Sequence, residues 1–104
     1  MELKIIFSRL ALHDLKEIYN YISKDSVKYA HREIQLIRSA ANKLKSNSLL
    51  GRKFEKLDDE LTRELIFKNY RIIYSISVNE QIVVLSIHHH SRLIAYNPAF
   101  KPEE

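Results

Sequence analysis

Arg71, His88, His90 and Arg92 are the residues best suited to act on a phosphate, and their spacing brings them to one surface if β-strands carry them. Guanidinium groups grip phosphates and carboxylates bidentately, and an imidazole titrates near neutrality. Such a surface can bind a phosphodiester backbone or a carboxylate-rich peptide. His90 can also serve as a general acid. Each has an ordinary alternative: a solvated sheet face whose cations pair with Glu64, and a half-buried, hydrogen-bonded histidine. In the triplet His88-His89-His90, the outer two imidazoles project to the same side of a strand, as a shared ion would require. No third ligand stands close by and the chain has no Cys, so neither a metal nor a cofactor is expected. A single Gly excludes a phosphate-cradling loop, and no G-x-S-x-G elbow occurs. Between Arg52 and Glu60, the cluster Arg52, Lys53 and Lys56 is a further binding candidate, whereas Asp58-Asp59-Glu60 reads as solvated loop.

The elements that must position these residues follow from periodicity. Leu3 to Phe7 is a short apolar run with β-branched Ile5 and Ile6, a first strand. Ser8 offers an N-cap, after which Ala11, Leu15, Ile18 and Ile22 recur on one helical face that Leu12 and Tyr19 widen. Lys24-Asp25-Ser26 interrupts the pattern and supplies a second cap. Val27, Ala30, Ile34, Ile37, Ala41 and Leu44 then mark a second helix, antiparallel to the first across so short a turn. Ser46-Asn47-Ser48 and Gly51 end the hairpin.

From Leu61 the period falls to two. Leu65 and Phe67 share one face, with Thr62, Glu64, Ile66 and Lys68 on the other. Lys68-Asn69 is a turn into a strand where Tyr70, Ile72, Tyr74, Ile76 and Val78 oppose Arg71, Ile73, Ser75 and Ser77. Asn79-Glu80 turns into a last strand, where alternation sets Val83, Leu85 and Ile87 against Ile82, Val84, Ser86, His88 and His90. Connections this short force an antiparallel meander. The expected fold is α+β, a β-α-α-β-β-β two-layer domain with the helix hairpin covering the more apolar sheet face. The open face should then carry Thr62, Glu64, Arg71, Ser75, Ser86, His88, His90 and Arg92.

The chain of 104 residues has the length of a single domain, 1–104, with about 97–104 as a flexible tail. Its 45% hydrophobic and 29% charged residues suit a folded, soluble protein. The apolar run at the N-terminus is too short for a signal peptide, and no stretch approaches the roughly 18 apolar residues of a membrane span. The expected compartment is the cytoplasm, with no membrane partner. Seventeen Lys and Arg against thirteen Asp and Glu give net +4, compatible with an acidic or nucleic-acid partner.

Over about ninety residues the pattern resembles the RelE/ParE superfamily of toxins from bacterial type II toxin–antitoxin modules. Ala11-x-x-Asp14-Leu15-x-x-Ile18-x-x-Tyr21-Ile22 is similar to the first helix of the ParE branch. Leu49-Leu50-Gly51-Arg52 resembles its Pro-x-x-Gly-Arg element, with Leu where Pro often stands. Arg63-Glu64-Leu65, followed by Asn69-Tyr70-Arg71-Ile72-Ile73-Tyr74, is the most specific part, and His88 to Arg92 resembles the closing His-x-x-Arg or His-x-Arg element.

The branch decides the chemistry. RelE-like members are ribosome-dependent mRNA endonucleases. That resemblance would assign Arg71, His90, Arg92 and Tyr96 to catalysis, but Thr62 and Glu64 stand where lysines are expected. A cleaved phosphodiester needs cations where negative charge develops, and Glu64 reverses the local field. The ParE-like resemblance implies no catalytic residue. It implies a non-enzymatic toxin of the plasmid-stabilisation kind that causes growth arrest by binding DNA gyrase. A cognate antitoxin neutralises it within a hetero-oligomer, folding over the helix hairpin and sheet. Arg71 and Glu64 become a structural ion pair. Contacts to target or antitoxin are expected among Arg52, Lys53, Lys56, Arg63, Glu64, Arg71, His88, His90 and Arg92. The alternatives are the ribosome-dependent mRNA endonuclease and a degenerate toxin that binds antitoxin only.

Overall fold

Two serines begin the helices. Ser8 Oγ accepts the Ala11 N–H at 3.0 Å and Ser26 Oγ the Tyr29 N–H at 3.0 Å, each satisfying a donor that the first helical turn leaves without a partner. The computed structural model describes residues 3–53, 61–77, 79 and 81–89. Among them the order is β1 (Lys4–Phe7), α1 (Arg9–Ser23), α2 (Val27–Asn42), one 3₁₀ turn (Lys43–Lys45), β2 (Arg52–Lys53), β3 (Thr62–Phe67), β4 (Tyr70–Ser77) and β5 (Gln81–His89). The five strands form one sheet in the order β1-β5-β4-β3-β2. The meander β3-β4-β5 is antiparallel as expected. β1 joins it in parallel at the far edge of β5, and the two-residue β2 closes the other edge against β3.

The helix hairpin covers one sheet face. Ala11, Leu15, Ile18 and Ile22 of α1 and Ala30, Ile37, Ala40 and Ala41 of α2 pack on Tyr70, Ile72, Val84 and Ile87. Leu44, on the 3₁₀ turn, joins Tyr74 and Ile82 in a second cluster. Each fully buried Leu or Ile contributes about 1.5–3 kcal/mol relative to exposure, so these two clusters hold the layers together. Leu12 and Val27 depart from expectation, standing 47% and 55% exposed at the margins of their helices. The buried stripe of α2 instead runs through Glu33, leaving Ile34 only partly covered at the edge of the core.

Strict alternation fails in β5. Ile73 pairs with Ser86 but Tyr74 pairs with Val84, so Leu85 is an extra residue, a β-bulge. Before it, Ile82 and Val84 face the helices and Val83 faces away; after it, Ile87 faces the helices and His88 faces away. The expected grouping of Ile82 and Val84 with His88 is therefore overturned, as is that of Val83 with Ile87, because one inserted residue reverses the parity of a period-two pattern. Helix α1 secures the bulge. Ser8 Oγ donates to the Leu85 carbonyl oxygen at 2.9 Å, and the Asp14 carboxylate accepts the Ile87 N–H at 2.9 Å. Both groups would otherwise be awkward to satisfy beneath a helix. Val78 and Glu80, expected in a strand and a turn, lie outside the described residues, as does the expected tail at 97–104.

Candidate functional site

On the open face the register sets Arg52 opposite Glu64, Glu64 opposite Ile73, Ile66 opposite Arg71 and Arg71 opposite His88. Glu64, only 6% exposed, sits between two guanidinium groups contributed by different strands. Arg52 Nε lies 2.8 Å from its Oε2 and Arg71 Nε 3.2 Å from its Oε1. The pairing of Arg71 with Glu64 that the sequence suggested is thus present, with Arg52 as a second cation. His88 is exposed beside Arg71, its Nε2 3.5 Å from Ser86 Oγ. The arrangement binds a carboxylate internally and leaves the outer parts of two arginines toward solvent. Among the described residues it does not gather cations around an open phosphate-sized space.

Arg63 lies on the other face. It pairs with Tyr74 in the register, and its Nη1 donates to the Gly51 carbonyl oxygen at 2.9 Å. The Tyr74 hydroxyl accepts the Gly51 N–H at 2.9 Å and donates to the Ser48 carbonyl oxygen at 2.7 Å. Burial raises the Tyr74 pKa, an effect that the Gly51 N–H and the Arg63 charge partly offset. Gly51 is required by close approach rather than by backbone angle, since a Cβ there would lie 2.6 Å from the Glu64 carbonyl oxygen and 2.8 Å from the Tyr74 hydroxyl. Arg63 therefore braces the turn that delivers Arg52 to Glu64. Lys53 is exposed on β2. Lys56, His90, Arg92 and Tyr96 lie outside the described residues.

A second charged site escaped the sequence reading. At the end of the fold where α1 gives way to α2, Glu33 is 3% exposed; its Oε1 accepts from the Tyr70 hydroxyl at 2.8 Å and its Oε2 from Lys68 Nζ at 3.0 Å. Burial alone would raise the Glu33 pKa. The hydrogen bonds from Lys68 and Tyr70, the Lys68 charge and Tyr29 outweigh it, holding the carboxyl below its ordinary value. Burial and the neighbouring carboxylate push the Tyr70 hydroxyl well up. His89 stacks on Tyr70 at 4.7 Å between ring centroids and meets Tyr21 edge-on at 6.1 Å. The signal was available: Ala30, Glu33, Ile37, Ala40 and Leu44 keep helical spacing, so a carboxylate occupied a core position.

Two further recesses are present. An open groove of about 300 Å³ runs along the outer side of the hairpin, with Leu12, Leu15, Tyr19 and Ile34 in its floor and Lys16 and Arg38 on its flanks. A shallow recess of about 210 Å³ lies at the β3–β4 turn beside Ile66 and Arg71. Among the described residues no three potential ligands cluster as a metal site would need, and no helix is long and apolar enough to cross a membrane.

A helix hairpin on one face of an open, mostly antiparallel sheet defines a two-layer α+β fold. The chain resembles the chromosomal ParDE TA system from P. aeruginosa, at 19% identity and a TM-score of 0.70 over 85% of this chain and 96% of that one. It also resembles the toxin–antitoxin complex RelBE2 from Mycobacterium tuberculosis, at 18% identity and a TM-score of 0.66 over 86% and 92% of the two chains. The YoeB dimer from Staphylococcus aureus matches at 23% identity and a TM-score of 0.51, over 86% and 99%. At these identities the likeness concerns the fold. Comparison with curated protein sequences gives no match. The model of the family described as ParE toxin of type II toxin-antitoxin system, parDE, matches residues 5–94. The chain belongs to that family of toxins.

Proposed function

We propose that the chain arrests growth by binding DNA gyrase in the cytoplasm, without covalent chemistry of its own, and that a cognate antitoxin neutralises it in a hetero-oligomer. The observation that carries this reading is the engagement of Glu64 by both Arg52 and Arg71. A phosphoryl-transferring surface needs cations held ready for developing negative charge, and here a buried carboxylate already occupies two of them. The groove along the hairpin supports the antitoxin. Its apolar floor and flanking Lys16 and Arg38 suit an amphipathic segment with acidic edges, which would order on docking. Such a partner stabilises a small toxin by mass action.

The test is a pair of assays on purified full-length chain. Inhibition of gyrase supercoiling, with ribosome-bound mRNA left intact, is the expected result. Defined cuts in mRNA on ribosomes would replace it with the ribosome-dependent endonuclease. Inactivity in both assays, with antitoxin binding retained, would leave a degenerate toxin that binds only its antitoxin.

A further inference from the structure

The pocket of about 240 Å³ above Glu33 has the chemistry of a cation receptor. Its walls are the rings of Tyr21, Tyr29, Tyr70 and His89, its base is the Glu33 carboxylate, and Asp25 stands at its mouth. Three of the rings form a continuous surface, since His89 stacks on Tyr70 at 25° between planes and meets Tyr21 at 71°. Aromatic faces carry negative quadrupoles, and a carboxylate at the end of such a cage adds a full charge, the combination that recognises organic cations. The pocket already holds one cation. Lys68 Nζ lies 3.0 Å from Glu33 Oε2, yet the lysine side chain is 45% exposed and approaches from the rim. With two carboxylates and one ammonium, the site keeps a net negative charge in a chain that is otherwise net positive.

From this juxtaposition of ring wall, buried carboxylate and displaceable lysine, we propose that the pocket receives the guanidinium of a partner protein's arginine. The guanidinium stacks on the His89 and Tyr21 rings and takes Glu33 in place of Lys68, which swings into solvent. Arginine suits the site better than a second lysine because its planar head can stack and hydrogen-bond at once. The pocket lies on the helix-covered side of the sheet, away from the Glu64 face, so the inference holds whichever target the toxin acts on.

The experiment titrates full-length protein with N-acetylarginine methylamide while following the ring resonances of Tyr21, Tyr70 and His89 by NMR. N-acetylcitrulline methylamide, its uncharged isostere, serves as control. Saturating shifts with the arginine derivative are expected, with affinity at least about fivefold above citrulline. Lys68→Asn removes the resident ammonium while retaining a residue that tolerates the left-handed backbone at this turn, where Lys68 has φ 55°. It should tighten binding about fivefold, and Tyr21→Leu, at a partly exposed position that keeps its apolar bulk, should weaken it by a similar factor. Equal response to citrulline, indifference to Tyr21→Leu, or unchanged or weaker binding in Lys68→Asn would each overturn the proposal. Equal affinity for free guanidinium ion would overturn the assignment to a protein side chain.

Discussion

Glu33 and Glu64 are both buried carboxylates with cationic partners, but they have opposite surroundings. Glu33 lies on the covered side of the sheet, engaged by the Lys68 ammonium and by the phenol of Tyr70, which is itself part of the core. Glu64 lies on the open side, between two arginines that remain well exposed, Arg52 by 68% of its side chain. Water can replace much of what Glu64 gives the arginines. The Tyr70 hydroxyl is far more deeply buried, so water replaces less of what Glu33 gives it. The first carboxylate is therefore chiefly a fastening between α2 and β4, and the second chiefly sets the charge that the free sheet face presents.

The largest effect should come from breaking the fastening. Glu33→Ala leaves the Tyr70 hydroxyl buried without its acceptor and opens space beneath the aromatic wall, and should cost about 3 kcal/mol in chemical denaturation. A loss below about 1 kcal/mol would show that the two carboxylates do not differ as described. Glu64→Ala should cost less, about 1 kcal/mol, because its partners regain water. It should also free two guanidinium groups, so that binding to heparin strengthens and falls more steeply with salt. Unchanged heparin binding would mean that Glu64 does not neutralise the face.

The smallest effect is a pH dependence that sharpens the contrast. The folded pKa of Glu33 lies below its ordinary 4.5, so its contribution is full above that value and is lost as pH falls through the lower, folded pKa. The Tyr70 pKa is raised above its ordinary 10.0, so the same fastening also weakens as pH climbs past that value. Stability measured from pH 7 down to about 3 should fall less steeply in Glu33→Gln than in the wild type, by a few tenths of a kcal/mol per pH unit. Parallel acid limbs would remove Glu33 from that dependence.

Much of this architecture could be read from residue spacing, for identifiable reasons. Both serine caps and the Lys68-Asn69 turn follow from local chemistry that acts within a few residues, and the Arg71–Glu64 pair follows from neighbouring strands of a meander. Arg63 was legible in principle, since it shares parity with Leu65 and Phe67, yet its charge drew attention to binding rather than to the Gly51 turn it braces. Glu33 keeps the helical spacing of the core, but Ile34, one position later, gives an equally good step, and packing against Tyr70 decides between them. The parallel placement of β1 and the short β2 depend on contacts distant in sequence, which periodicity does not encode. The bulge in β5 is of the same kind, because Ser8 and Asp14, more than seventy residues earlier, hold it in place.

That bulge also sorts the two adjacent imidazoles. With Leu85 as a spare tooth in the ratchet, His89 is delivered beneath the hairpin, against Tyr70, while His88 is left outside beside Arg71. Taking that tooth into the regular ladder would shift the distal strand by one notch and exchange their places, turning the cage wall outward and the sheet-face imidazole inward. A single residue in an edge-proximal strand thus acts as the keying element between the protein's two chemically distinct surfaces.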